Sequence, residues 1–393
     1  MTALSQMEKS TSTTTYPVTR IAAVDIVRGL AMILMALDHT RDFLGVNANP
    51  VDLATTTAPL FFTRWITHFC APTFFLLTGT SAWLSGRGRP ASQLSWRLLT
   101  RGAWLLLLEL TVFRFVLQFN FDYHTTLLNV LWALGWAMMV LSLLVYLPRP
   151  AIAAFGLILV LGHNALDPIR SANPLWSLLH SPNFVLKTPE HAILAGYPLI
   201  PWVGVTALGY CLGVVYDWAP ERRRRFLLRT GLALIAAFVA IRATNIYGDP
   251  FPWVPNRPLL SFFNTNKYPP SLLFLLMTLG PALLLLRAAD GRSNAVLRVL
   301  STYGKVPLFY FLVHFALIHL IAVVVCYARF GEIHGMFESP SIAQFPFTAP
   351  PGWGLSLPLV YLFWAVVVCS LYPLCSWYAR IRQTRRHPLL SYL

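Results

Sequence analysis

The chain has 393 residues, of which 56% are hydrophobic and only 11% are charged, whereas an ordinary soluble domain carries about a quarter charged residues. This composition excludes a water-soluble fold and predicts a single integral membrane domain. The formal net charge is +15, but the basic residues lie in short segments between apolar runs. That distribution indicates membrane topology and argues against nucleic-acid binding.

Ten apolar runs are candidate membrane spans, since most approach the roughly 20 residues needed to cross a 30 Å hydrocarbon core. They are residues 21–44, 59–85, 96–117, 127–147, 151–166, 192–216, 226–246, 270–286, 305–327 and 354–377. The fifth is short and is either a span or a re-entrant segment. With the N-terminus inside, the even-numbered connections carry the arginine clusters, so the positive-inside rule places both termini in the cytoplasm. The predicted fold class is an all-α transmembrane helix bundle of about ten spans.

The remaining segments define the expected domain boundaries. Residues 1–19 are Ser/Thr-rich and lack the apolar core of a cleavable signal, so a disordered cytoplasmic tail is expected. Residues 20–380 would form the transmembrane domain and residues 381–393 a basic cytoplasmic tail. The five cysteines include no CxxC pair, which indicates small buried hydrophobes and neither disulfides nor a metal site.

Ionisable residues inside spans are energetically costly and are therefore the first candidates for function. Arg28 and His39 are eleven residues apart, so on a helix they share a face and are separated by roughly 16 Å. In the second run, Arg64 and His68 are at positions i and i+4, at a depth similar to that of His39 and Asp42. We predict that His39 or His68 is a general base, that Asp42 orients it, and that Arg64 stabilises developing negative charge.

A purely structural interpretation of these residues stays open. In it, His39 and His68 hydrogen-bond to a neighbouring helix, while Arg41 and Arg64 extend toward lipid headgroups. Glu109, inside a leucine-rich run, is interpreted first as structural, because a carboxylate in the bilayer core needs a partner.

The sequence offers no recognisable metal-binding motif. His314 and His319 are five residues apart, which is about 140° around a helix, so they do not form the i, i+4 pair of a helical zinc site. No metal ligands are therefore predicted.

Four segments resemble a known family, the heparan-alpha-glucosaminide N-acetyltransferase-like membrane proteins. They are RIAAVDIVRGLAMILMALDH (20–39), FCAPTFFLLTG (69–79), YPLIPWVG (197–204) and KYPPSLL (267–273). The first is fairly specific, although a related opening occurs in other membrane acyltransferases. In that opening, Gly29 is expected to let a neighbouring helix approach Arg28 closely.

The resemblance implies acyl transfer across a membrane. The donor would be acetyl-CoA or another cytosolic acyl-CoA, and the acceptor an amine or hydroxyl of a sugar or glycoconjugate on the outer side. Arg28 and Arg101 would bind the donor's phosphates, and Asp38, Lys267 and His314 are candidate acceptor-binding residues. The expected setting is the lipid bilayer of the plasma (inner) membrane, with a homodimer as a candidate assembly.

One departure from the family affects the choice of base. Lysosomal members are credited with a catalytic histidine in the connection between the first two spans, and this chain has no histidine between His39 and His68.

Two other function classes also stay open. The intramembrane charges could serve a transporter or flippase for a lipid or sugar conjugate, with the Gly/Pro-containing run 197–213 as a discontinuous helix, or the protein could be a non-catalytic assembly partner.

Overall fold

The structure is a computed structural model that describes residues 21–385, and it is mostly helical (70%). The predicted tail 1–19 and residues 386–393 lie outside the described residues. Within the described range the helices are α1 (Ala22–Leu44), α2 (Ala58–Thr67), α3 (Cys70–Gly86), α4 (Ala91–Leu108), α5 (Arg114–Gln118), α6 (Val130–Leu144), α7 (Arg149–Gly162), α8 (Pro174–Leu179), α9 (Leu199–Leu212), α10 (Pro220–Thr244), α11 (Pro258–Phe263), α12 (Leu272–Ala289), α13 (Ala295–Lys305), α14 (Pro307–Phe330) and α15 (Leu357–Thr384). The strands are β1 (Thr125–Leu128), β2 (Phe184–Lys187) and β3 (Ala192–Ala195).

Several helices carry short irregular turns. A π-helical segment, Glu109–Phe113, joins α4 to α5, and 3₁₀ turns extend α7 over His163–Leu166 and α9 over Gly213–Asp217. Two further 3₁₀ turns, His334–Phe337 and Ile342–Gln344, lie between α14 and α15.

In the described part of the chain, seven helical segments are long and apolar enough to cross a membrane. They are Ala58–Gly86, Arg149–Leu166, Leu199–Asp217, Pro220–Thr244, Leu272–Ala289, Pro307–Phe330 and Leu357–Thr384. The multi-pass membrane character is therefore confirmed, while the count of ten spans stays a prediction. Helix α1 is as long as these segments, but it carries too many charged residues to count as a simple apolar span.

The purely helical prediction needs one correction, because three short strands form a sheet in the order β1-β3-β2. Strands β1 and β3 pair in parallel and β2 pairs antiparallel to β3. The fourth and sixth predicted spans therefore begin too early, at residues 127 and 192. Pro198 gives the physical reason in the second case: it keeps the preceding residue extended, so α9 begins only at Leu199.

The long connections pack together at one end of the bundle, which we call the loop face. It comprises residues 45–57, 119–129, 163–198, 245–271 and 331–356. Asn264 Nδ2 donates to the Val51 carbonyl at 3.0 Å and Asn120 Nδ2 to the Phe337 carbonyl at 2.9 Å, while β1 and β3 join two further connections.

The short connections lie at the opposite end, which we call the arginine face. It comprises residues 87–90, 145–149, 217–225, 287–294 and 380–385. Ion pairs link these segments: Arg87 lies 2.5 Å from Asp217, and Arg223 lies 2.9 Å from Asp290.

Helix α1 contacts α13 through two glycines. A Cβ atom added at Gly29 would lie 1.8 Å from the Leu300 carbonyl oxygen, and one added at Gly304 would lie 1.8 Å from the Asp25 carbonyl oxygen. Only glycine permits this approach, which also brings the Gly304 carbonyl within 3.1 Å of Arg28 Nη1. The packing role expected for Gly29 is thus present in the structure.

Candidate active site

Two histidines from distant parts of the chain meet where α1 packs against α14. His39 Nδ1 lies 2.7 Å from His314 Nε2, and His314 Nδ1 lies 2.9 Å from the Tyr310 carbonyl oxygen. A carbonyl oxygen only accepts, so His314 Nδ1 carries the proton and, in the neutral ring, Nε2 accepts from His39 Nδ1. His39 Nε2 is then the nitrogen with an available lone pair, the atom that a general base or nucleophile requires.

Aromatic packing fixes the orientation of both imidazoles. The His39 ring stacks on Phe315 with a centroid distance of 4.0 Å, and the His314 ring stacks on Tyr310 at 5.1 Å. His314 is fully buried. The pair is therefore held in one geometry before any substrate binds.

A buried network of opposite charges surrounds Asp38, the residue that precedes His39 in α1. Its carboxylate pairs with Arg64 and, at 2.8 Å, with Arg41, and it accepts a hydrogen bond of 2.9 Å from Thr67 Oγ1. Because each buried charge has a partner, the network orients the Arg64 guanidinium without leaving an isolated ion. Asp42 pairs with Arg41 at 2.5 Å and its side chain is 48% exposed.

Two cavities lie beside this network. A small pocket of about 40 Å³, the His39 pocket, is lined by residues that include His39, Cys70, Asn129, Tyr197 and Lys267. A larger cavity of about 520 Å³, the loop-face cavity, is lined by residues that include Arg41, Asp42, Arg64, His68, Lys267 and Tyr268. Lys267 lines both, so its side chain marks the boundary between them. The larger volume is that of a small-molecule site.

A buried carboxylate on the loop face positions Lys267. Asp249 Oδ2 accepts hydrogen bonds from the Asn266 backbone N–H at 2.9 Å and from Ser271 Oγ at 2.6 Å, on either side of Lys267. Burial raises the pKa of the Asp249 carboxyl, and the hydrogen bond from Ser271 partly offsets that effect. The turn that presents Lys267 is therefore anchored from both ends.

A third cavity, of about 350 Å³, opens at the arginine face. Its lining includes Asp25, Arg28, Arg97, Arg101, Lys305 and Arg382. Arg28 donates to Ser81 Oγ at 2.6 Å and pairs with Asp25 at 3.1 Å. An excess of cations in a concave site suits a ligand that carries several phosphates.

The structure brings most of the predicted site residues together. Arg28 and Arg101 line the arginine-face cavity, while Arg64, His68, Asp42 and Lys267 line the loop-face cavity. Asp38 lies in the ion-pair network, and the hydrogen bonds that the structure gives Asp42 go to Arg41, not to either imidazole.

The sequence did not reveal every residue of the candidate site. It did not predict the contact between His39 and His314, and it did not single out Tyr197 and Tyr268, although both tyrosines lie in segments that carry the family resemblance. It did predict that His314 and His319 point in different directions. His319, five residues after His314, faces another direction: it stacks on Phe119 at 4.0 Å and bonds to the Met336 carbonyl at 2.9 Å.

Glu109 has a structural role, as first interpreted. Its carboxylate accepts from the backbone N–H groups of Asn129 at 2.8 Å and Trp132 at 3.2 Å. These are donors at the N-terminus of α6 that have no partner inside the helix, so Glu109 caps that helix.

The fold and the site together define a multi-pass membrane protein whose imidazole pair lies in a helix bundle with cavities toward both faces. Residues 20–255 match the family model of the heparan-alpha-glucosaminide N-acetyltransferase catalytic domain. The match covers more than half of the chain, and the protein belongs to this family of membrane acetyltransferases. No curated protein matches the chain at a significant level. The matched range includes His39, Arg64 and His68, whereas Lys267 and His314 follow it.

Proposed function

We propose that the protein transfers an acetyl group from acetyl-CoA, bound at the arginine face, to an amine or hydroxyl of a sugar or glycoconjugate in the loop-face cavity. The observation that carries this proposal is the hydrogen bond between His39 and His314, which leaves His39 Nε2 as a base at a pocket next to the loop-face cavity. His39 is the preferred base over His68, because His314 specifies the His39 tautomer.

Helix α1 connects the donor and acceptor regions. Arg28 lines the arginine-face cavity and His39 lines its own pocket eleven residues later, roughly 16 Å along the helix axis. The pantetheine arm of CoA can bridge such a distance, so phosphates held by Arg28 and Arg101 would let the thioester approach His39.

In the direct mechanism, the nitrogen or oxygen of the acceptor attacks the thioester carbonyl while His39 Nε2 removes the acceptor's proton. The C–S bond then breaks and the CoA thiolate takes up the proton from the imidazolium. Lys267 and Arg64 supply positive charge for the developing oxyanion. In the alternative, His39 Nε2 attacks the thioester carbonyl first, the C–S bond breaks, and the CoA thiolate leaves an acetylated imidazole. The acceptor amine or hydroxyl then attacks that acetyl group, the bond to His39 Nε2 breaks, and the acceptor's proton passes to the thiolate. His314 is the orienting group in either case, a role that the sequence assigned to Asp42.

The basic segments support a cytoplasmic arginine face in the plasma (inner) membrane, with ten spans and both termini on that side. On this topology the acceptor enters from the outer side, through the loop-face cavity. The reaction would then join a cytosolic donor to an external acceptor.

The test uses purified protein in detergent with radiolabelled acetyl-CoA, a panel of amino sugars, and the variants His39→Ala and His68→Ala. We expect His39→Ala to lower turnover by about 10²- to 10⁴-fold while CoA binding, measured by calorimetry, persists. A labelled protein formed without acceptor would select the acetyl-histidine path. Failure of the wild type to bind CoA, or normal turnover in His39→Ala, would refute the proposal; the first result would favour a transporter or flippase.

A further inference from the structure

Three potential metal ligands lie together on the loop face, outside the cavities described above. His163 follows the last residue of α7, Asp167 comes four residues later, and His180 follows α8. One ligand atom from each residue lies within 4.8 Å of the others. The sequence separates His180 from the other two, and the return of the chain through α8 brings it back to them.

The two imidazoles are buried and incompletely hydrogen-bonded. His163 is 1% exposed and His180 is 2% exposed. Among the described residues, neither ring nitrogen of His163 has a hydrogen-bond partner, and neither does His180 Nδ1. Leaving a buried donor or acceptor without a partner is energetically unfavourable, so this arrangement calls for a ligand that uses an imidazole lone pair.

The geometry suits a tetrahedral cation. Zinc binds imidazole nitrogens and carboxylate oxygens at about 2.0–2.2 Å, which places neighbouring ligand atoms about 3.3 Å apart. His180 Nε2 already lies 3.0 Å from Asp167 Oδ1, and the ligand nitrogen of His163 lies within 4.8 Å of both. The Asp167 side chain is 20% exposed, which leaves room for a water molecule as the fourth ligand.

A second layer of hydrogen bonds holds the carboxylate in place. Asn164 Nδ2 donates to Asp167 Oδ2 at 2.8 Å, and Asn164 Oδ1 accepts from the Leu272 backbone N–H at 2.8 Å. Partners of this kind orient the ligands in protein metal sites. Asn164 thereby links the cluster to the first residue of α12, five residues after Lys267.

We propose that His163, Asp167 and His180 bind a divalent transition metal of the zinc type. The ion has a structural role: it holds the segment 163–180 against the start of α12 and so supports the wall of the loop-face cavity. None of the three ligands lines that cavity or the His39 pocket, so this proposal is independent of the proposed function.

The experiment measures metal in the full-length protein, purified in detergent and treated with a chelator. Zinc is added back, excess is removed, and the zinc-to-protein ratio is determined by mass spectrometry, with a thermal melt in parallel. The variants are His163→Ala, His180→Ala and the milder Asp167→Asn. The matched control is the double variant His124→Ala/His191→Ala, which removes an exposed histidine pair with ring centroids 6.2 Å apart on the same face.

We expect one zinc per chain and a higher melting temperature with zinc, in the wild type and in the control. His163→Ala and His180→Ala should lose the bound metal, and Asp167→Asn should bind it at least tenfold more weakly. Co²⁺ added to the wild type should give the visible absorption of a tetrahedral site, a measurement that needs no variant. Absence of stoichiometric metal in the wild type, or equal retention in the His163 and His180 variants, would overturn the proposal.

Discussion

The histidine pair gives the sharpest prediction about catalysis, through the variant His314→Leu. Leucine fills much of the imidazole volume but cannot accept a hydrogen bond. The change removes the acceptor 2.7 Å from His39 Nδ1 while leaving His39 itself, Arg64 and Lys267 in place. His39 then has a buried N–H without its partner, and nothing specifies the tautomer that exposes Nε2 to the pocket.

The size of the effect follows from that single contact. A buried donor that loses its partner costs about 1–3 kcal/mol, and each 1.36 kcal/mol changes a rate tenfold. We therefore expect kcat to fall by roughly 5- to 150-fold. The variant His314→Gln keeps an amide oxygen that can accept from His39 Nδ1, so it should recover part of the rate.

The assay is acetyl transfer from radiolabelled acetyl-CoA at saturating donor, with the dissociation constant of CoA measured separately. His319→Leu is the matched control, because His319 is equally buried in α14 but bonds to the Met336 carbonyl. It should lower thermal stability without a specific loss of kcat per folded molecule. Equal kcat values for His314→Leu and His319→Leu would refute the assignment of His314 as the group that orients His39.

Two further predictions address the donor site and the bundle. Arg101→Gln should raise the KM for acetyl-CoA about tenfold, because one charge-assisted hydrogen bond is lost. The KM for acetyl-pantetheine, which lacks the nucleotide phosphates, should stay unchanged. An equal rise for both donors would contradict phosphate binding by Arg101. Glu109→Ala should destabilise the protein by about 1–3 kcal/mol, because the N–H groups of Asn129 and Trp132 lose their acceptor. The stability of Glu109→Gln should lie between those of the wild type and Glu109→Ala. An unchanged melting temperature of Glu109→Ala in detergent would contradict the capping role.

The sequence by itself determined the membrane class and the family, and it selected several residues that line the cavities of the candidate site. Long apolar runs must form helices in a bilayer, because every backbone polar group needs an internal partner there. The spacing of Arg28 and His39 on one helix, and of Arg64 and His68 on the next, follows from helix geometry alone. These local regularities are enough to place residues of two cavities on shared helix faces.

Only the tertiary structure decided how the helices combine these residues. His39 and His314 are 275 positions apart, and helical periodicity does not specify which neighbour a face will contact. For the same reason the sequence predicted Asp42 as the orienting group, whereas the structure gives that contact to His314.

The sheet and the metal-ligand cluster depended on packing as well. Strands β1 and β3 pair across more than sixty residues, and His180 reaches His163 and Asp167 only because α8 turns the chain back. Such contacts join segments that are far apart in the sequence, and no short-range pattern encodes them.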